Sequence, residues 1–164
     1  MDGVIRTRVG YSGGTTESPT YQRIGDHSET VEIDYDPQLL TYDELLAVFF
    51  AGHDPRVRSY STQYRSAVFY RTTEEAAAAG RALERLQLSA GLVHTSIEPL
   101  SRFWLAEDYH QKFYWRQFAS EVERSAAGQV PNWRSREFCE WVSKRGISSC
   151  AAGKNAGKES AVAG

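Results

Sequence analysis

Thr30-Val31-Glu32-Ile33-Asp34-Tyr35 alternates polar and apolar side chains without a break, stops at Asp36-Pro37, and is followed by Thr41 and Glu44 at capping-box spacing. A period of two giving way to a helical period across so short a turn predicts a half-buried strand that runs directly into a helix. It commits the chain to a sheet with helices packed on it. Leu45, Leu46, Phe49 and Phe50 supply the apolar face of that helix.

The same punctuation recurs. Thr72 and Glu75 predict a second capping box, ahead of an alanine-rich helix in which Ala76, Ala79, Leu83 and Leu86 share one face. Val4 to Val9 predicts a strand ending at a glycine cluster; Tyr64 to Tyr70 and His94 to Ile97 predict two more. Ala106 to about Ser125 is expected as a third long helix, with Tyr114, Phe118 and Val122 spaced four apart. After the break at Gln129-Val130-Pro131, Asn132 is placed to cap a short helix that carries Phe138, Trp141 and Val142 and stops at Gly146. The order of elements predicts an α+β, two-layer domain with a mixed or largely antiparallel sheet. The expected boundaries are a main domain over 1–128, a helical extension over 129–146 and a disordered tail over 147–164.

An apolar fraction of 41% against 24% charged residues is enough for one core without staples. A formal charge of -2, with acids and bases interspersed, offers no basic stripe, so no nucleic-acid partner is expected. The longest apolar run, Leu45 to Ala51, falls well short of the roughly 20 residues that span a bilayer. With no signal-like start at Met1-Asp2-Gly3, the expected setting is cytoplasmic, without a membrane partner. Cys139 and Cys150, the two cysteines present, suit a reducing compartment. His27, His53, His94 and His110 are too dispersed to predict a metal site.

Chemistry concentrates between Val9 and Glu29, where two tyrosines, a histidine and a glutamate share a turn-rich stretch. Gly10 to Gly14 lacks both the dinucleotide-binding spacing and a P-loop lysine; it reads as a turn that lets backbone approach a pocket. His27, His53 and His110 read as structural hydrogen-bonding residues, His110 on a helix, and Asp108 as a local support.

Seven blocks carry a resemblance that runs from about Gly3 to about Gln117. They are Gly10-Tyr11-Ser12-Gly13-Gly14, Pro19-Thr20-Tyr21, Gly25-Asp26-His27-Ser28-Glu29, Tyr35-Asp36-Pro37, His53-Asp54-Pro55, Gln63-Tyr64-Arg65-Ser66 and Ala106-Glu107-Asp108-Tyr109-His110-Gln111. In this order they resemble the peptide methionine sulfoxide reductase A family, which reduces the S epimer of methionine sulfoxide. The resemblance implies the family's two-layer α/β roll, no bound cofactor, oxidised proteins or free methionine sulfoxide as substrates, and thioredoxin or dithiothreitol as external reductant. A monomer is expected.

Reducing a sulfoxide takes a soft nucleophile at sulfur and an acid at oxygen. By resemblance Glu29 takes the place of the general acid, a role that calls for a carboxyl kept protonated by burial beside aromatic groups. Tyr21 and Tyr64 take the places of the hydroxyls that bind the sulfoxide oxygen. These three are the expected catalytic and substrate-binding residues. Cys150 and Cys139 are candidate resolving thiols, Cys150 in a glycine-containing tail and Cys139 beside Phe138 and Trp141.

Two departures qualify the resemblance. The family's Gly-Cys-Phe-Trp motif, with its nucleophilic cysteine, would fall before Met1, so a truncated chain is expected: first strand and helix missing, two sheet edges unpaired, inactive as it stands. Ahead of Gln63-Tyr64, where many members carry an aspartate, stands Ser59-Tyr60-Ser61-Thr62. A non-catalytic module that binds methionine sulfoxide or a protein partner is the alternative reading. An interaction domain anchored by Trp133, Phe138 and Trp141 is a third, although core packing accounts for those aromatics more economically.

Overall fold

A computed structural model describes residues 1–114, 116 and 159–163. Its elements are β1 (Val4–Ser12), β2 (Ser28–Tyr35), α1 (Tyr42–Ala51), β3 (Ala67–Tyr70), α2 (Thr73–Ala90), β4 (Ser96–Pro99), β5 (Trp104–Leu105) and β6 (Glu159–Ala163). Single 3-10 turns sit at Thr62–Tyr64 and Asp108–His110. One sheet runs in the order β4-β3-β6-β2-β1-β5, antiparallel except for the β3–β4 pair, whose parallel connection is α2. The architecture is α+β with a mixed sheet, as the sequence predicts.

The caps form largely as spaced. The Thr41 side chain accepts from the Glu44 N–H, and the Glu44 carboxylate accepts from the Thr41 N–H at 2.8 Å, so α1 opens with a complete capping box. At α2 the box is half made: Thr72 accepts from the Glu75 N–H, while the Glu75 carboxylate turns back to the Arg71 N–H at 2.6 Å. Both helices bury small or aliphatic faces on one side of the sheet. Leu45 and Leu40 close over Tyr35 and Ala161; Leu46, Ala78 and Ala79 close over Val68. Each large apolar side chain so buried contributes about 1.5–3 kcal/mol.

The polar face of β2, expected to be the exposed half of the strand, is buried as well. Val31 is 39% exposed, whereas Ser28, Thr30, Glu32 and Asp34 are buried. Ion pairs make this possible: Glu32 pairs with Arg8 and Arg71, and Asp34 with Arg6. Beside this charged network, Ala67, Phe69 and Val162 form a smaller apolar cluster under Leu100 and Phe103.

Two expectations about the chain after residue 105 are corrected. In place of a helix from Ala106, Glu107 is extended (φ -59, ψ 153), a single turn spans Asp108–His110, and Lys112 takes φ 54. The cause is Gln111, fully buried, whose side chain accepts from the Val9 N–H and donates to the carbonyls of Val9 and Ala106. Anchoring to β1 holds this segment out of helical register. The second correction concerns the tail. Glu159–Ala163 is not disordered but is the strand β6, seated between β2 and β3, so the two edges expected to lie open are paired. The rest of the tail, the short helix expected after Asn132, the proposed anchors Trp133, Phe138 and Trp141, and both cysteines lie outside the described residues.

Candidate active site

β2 begins where the glycine-rich loop ends, and that loop is pinned rather than free. The Asp26 carboxylate accepts from the backbone N–H and hydroxyl of both Thr15 and Thr16, which holds it well below the usual carboxylate range. His27 is buried; its Nδ1 accepts from the Gly14 N–H at 3.2 Å and its Nε2 lies 2.7 Å from the Thr16 carbonyl, the pattern of a neutral ring. Gly13 has φ 79, and a Cβ there would lie 2.6 Å from both Arg65 and Phe69, so glycine alone lets the turn close against β3.

Ser28 ties this entry to the turn before β3. Its hydroxyl donates to the Thr62 carbonyl at 2.9 Å and accepts from Arg65 Nε at 2.7 Å, while the Arg65 guanidinium grips Glu98 on β4 in a fork-to-fork pair. That grip holds the Glu98 carboxyl below its usual range. The turn has its own cap: Ser61 accepts from the Gln63 N–H, and Ser59 donates to the Ser61 carbonyl. The serines standing where many relatives of the resembled family carry an aspartate therefore shape the turn that presents Gln63 and Tyr64.

Glu29 and Tyr64 meet through Gln63. The Gln63 side-chain amide donates to Glu29 Oε1 at 2.5 Å and lies 3.0 Å from the Tyr64 hydroxyl. Tyr64 in turn bonds the Tyr21 side chain. That bond, some desolvation and the nearby Glu29 charge push the Tyr64 phenol up to about 12. Glu29 is half-buried, with buried Ser28 and Thr30 on either side, and the two phenols are exposed. The structure thus gathers Tyr21, Glu29 and Tyr64, and of these Glu29 and Tyr64 line an open cavity of about 630 Å³. Phe49, His53, Tyr60 and Arg58 are among the residues lining it.

Tyr21 is fixed from the other side by Glu107, which sequence reasoning did not single out, and by His110. Glu107 accepts from the Tyr21 N–H at 3.0 Å and from the Tyr11 hydroxyl at 2.6 Å, and His110 lies ring to ring with Tyr21 at 4.6 Å. Burial, followed by the bond to Glu107, raises the Tyr11 phenol far above its ordinary value. At Glu107 desolvation works upward, but the bonds from Tyr11, Tyr21 and its own backbone, with the nearby His110, together outweigh it and lower the carboxyl. The sequence signal for Gln63 and Glu107 is their place inside quoted blocks; their partners, 34 and 86 residues away, leave no local trace. His53 is structural as expected, bonding the Phe49 carbonyl and the Ser66 hydroxyl. His110 sits on the 3-10 turn, not a helix, and its Nε2 has no hydrogen-bond partner among the described residues. No group of three or more potential metal ligands occurs among the described residues.

The sequence model described as peptide methionine sulfoxide reductase matches residues 1–139. The chain belongs to the peptide methionine sulfoxide reductase A family. It is 38% identical over 157 residues to peptide methionine sulfoxide reductase A5 of Arabidopsis thaliana, covering 85% of this chain and 62% of the plant protein. With the A5 protein of Oryza sativa subsp. japonica the identity is 43% over 120 residues, covering 69% and 47%. Among solved structures it resembles reduced Mxr1 of Saccharomyces cerevisiae with a TM-score of 0.66 and 30% identity, over 70% of this chain and 72% of that one. The chain thus spans less than two thirds of the length of either plant reductase.

Proposed function

We propose that Glu29, Tyr64 and Tyr21 receive the S=O group of methionine-S-sulfoxide in oxidised proteins, and that this chain supplies the oxygen-handling half of a peptide-methionine (S)-S-oxide reductase site. The observation that carries the reading is the junction at Gln63, which sets the Glu29 carboxyl beside the Tyr64 phenol at the rim of an open cavity, with Tyr21 bonded to that phenol. A phenol pushed up to about 12 stays protonated at neutral pH and can donate to an oxygen that gains charge as its bond to sulfur breaks.

The overall reaction balances as one sulfoxide and two thiols giving one thioether, one disulfide and one water. Glu29 is the group placed to pass a proton to the departing oxygen; a thiolate attacks sulfur, and thioredoxin or dithiothreitol restores the thiols. No cysteine stands among the described residues, and Cys139 and Cys150 are the two in the chain. Their role as resolving thiols, like a monomeric state and a cytoplasmic setting, belongs to this proposal. No helix among the described residues is long and apolar enough to cross a membrane.

Among the described residues no thiol stands beside Glu29, and on this reading the chain as it stands binds the sulfoxide without turning it over. Calorimetry with a short peptide carrying methionine-S-sulfoxide tests the site. Saturable binding that weakens about tenfold or more in Glu29→Gln and in Tyr64→Phe supports it, since each removes a hydrogen bond of about 1–2 kcal/mol. Absence of binding, or binding indifferent to both changes, overturns it. Steady turnover of the unmodified chain with dithiothreitol contradicts the assignment as a module.

A further inference from the structure

β2, which carries Glu29, and β3, which follows Tyr64, share no ladder of their own; the strand between them is β6. Five residues of β6 pair with β2, from Tyr35↔Glu159 to Val31↔Ala163, and two pair with β3, Val68↔Ala163 and Phe69↔Val162. Side chains of β6 also enter both layers. Ala161 packs with Tyr35, Leu40 and Leu45 on the helix side, and Val162, 2% exposed, packs with Ala67 and Phe69 on the other. Because β6 runs antiparallel to β2, its far end lies level with Val31, two residues from Glu29.

We propose that the gap between β2 and β3 is a strand-acceptor site, that its occupant is this chain's own C-terminal segment, and that seating this strand sets the spacing of Glu29 and Tyr64. The inference rests on the sulfoxide-site reading only for its effect on binding; the seating itself is independent of it. The recognition chemistry is strand addition: main-chain bonds to both neighbours give the affinity, and small alternating side chains fit the two packed faces. Ala161 leaves room beneath Leu45 of α1, and Val162 packs beside Phe69. A charged or bulky residue at 162 cannot enter.

Two measurements test the proposal on the full-length chain. In a background with Cys139→Ser and Cys150→Ser, the pair Ile33→Cys and Ala161→Cys, directly opposed in the register, forms an intrachain disulfide on mild oxidation. Failure to cross-link overturns the seating, and a cross-link joining two chains overturns the choice of occupant. The second measurement unseats the strand with Val162→Asp. The thermal midpoint falls and sulfoxide-peptide affinity drops at least tenfold, and an excess of the synthetic peptide Lys-Glu-Ser-Ala-Val-Ala-Gly restores both; the same peptide with aspartate for valine restores neither. An unchanged midpoint and affinity contradict the proposal. If Val162→Asp does not fold, the cross-link still decides seating. If the unmodified chain binds no sulfoxide, the site reading fails while the cross-link and midpoint still report on β6.

Discussion

Gln63 and Glu29 stand 34 residues apart in the chain, yet the amide of one donates to the carboxylate of the other at 2.5 Å, and the same amide nitrogen reaches the Tyr64 hydroxyl at 3.0 Å. The amide is therefore a spacer that fixes the acid relative to the phenol. Gln63→Ala is expected to weaken sulfoxide-peptide binding by about tenfold, the loss of roughly 1.4 kcal/mol of positioning, with little change in thermal midpoint because the turn keeps its Ser61 cap. Calorimetry beside a melting curve separates the two effects.

The Tyr64 phenol titrates near about 12, with the Tyr21 hydrogen bond as its largest cause. Tyr21→Phe removes that bond and moves the Tyr64 titration down toward the ordinary value near 10. The sign follows: the fold favours the neutral phenol, so its contribution is complete below the unfolded value and is lost as pH rises through about 12. Phenolate absorbance followed against pH reads the shift, and a Tyr64 titration unmoved by Tyr21→Phe counts against the pairing.

Arg65 and Glu98 set an acid limit. The Glu98 carboxyl is held below its ordinary value by the guanidinium fork, so this contribution is present above the unfolded carboxylate range and is lost as pH falls through the lowered value. Glu98→Gln is expected to flatten the acid side of a midpoint-against-pH curve. An acid limb as steep as in the unmodified chain argues against the pair.

Glu32, 4% exposed between Arg8 and Arg71, makes the two ends of its ion pairs unequal. Arg8→Ala leaves the buried Glu32 carboxylate with Arg71 as its remaining partner and is expected to cost about 3 kcal/mol. Glu32→Gln leaves two half-exposed arginines that solvent can reach and costs about 1 kcal/mol. Urea unfolding of both variants checks the order of the two losses.

The direction of β6 gives a gain-of-function prediction. Ala163 stands opposite Val31, so a residue two positions further along the same register stands opposite Glu29. A chain carrying one added cysteine after Gly164 is expected to reduce methionine-S-sulfoxide with dithiothreitol, through a sulfenic acid that the reductant returns to thiol with release of water. The gain should vanish with Glu29→Gln, and an added cysteine without effect places the strand end elsewhere.

What the sequence discloses here is whatever depends on neighbours in the chain. Thr41 with Glu44, and Thr72 with Glu75, announce α1 and α2 because caps act across a single turn; the alternation from Thr30 to Tyr35 announces β2 because pleating repeats every two residues. The burial of the polar face of β2 escapes, since Glu32 and Asp34 are kept inside by Arg6 and Arg8 of β1 and by Arg71 after β3. The strand β6 escapes for the same reason: Glu-Ser-Ala-Val-Ala has little strand pattern, and pairing on both sides decides it. At the site, the motifs mark Tyr21, Glu29 and Tyr64, whereas Gln63, Glu107 and His110 gain their places only when distant segments meet.

The most direct test compares binding of one peptide in two oxidation states, methionine-S-sulfoxide and methionine, to the full-length chain. The oxygen-handling account predicts saturable binding of the sulfoxide, with the thioether at least tenfold weaker and the difference erased by Tyr64→Phe. Equal affinity for the two peptides, or a difference that survives Tyr64→Phe, would contradict it.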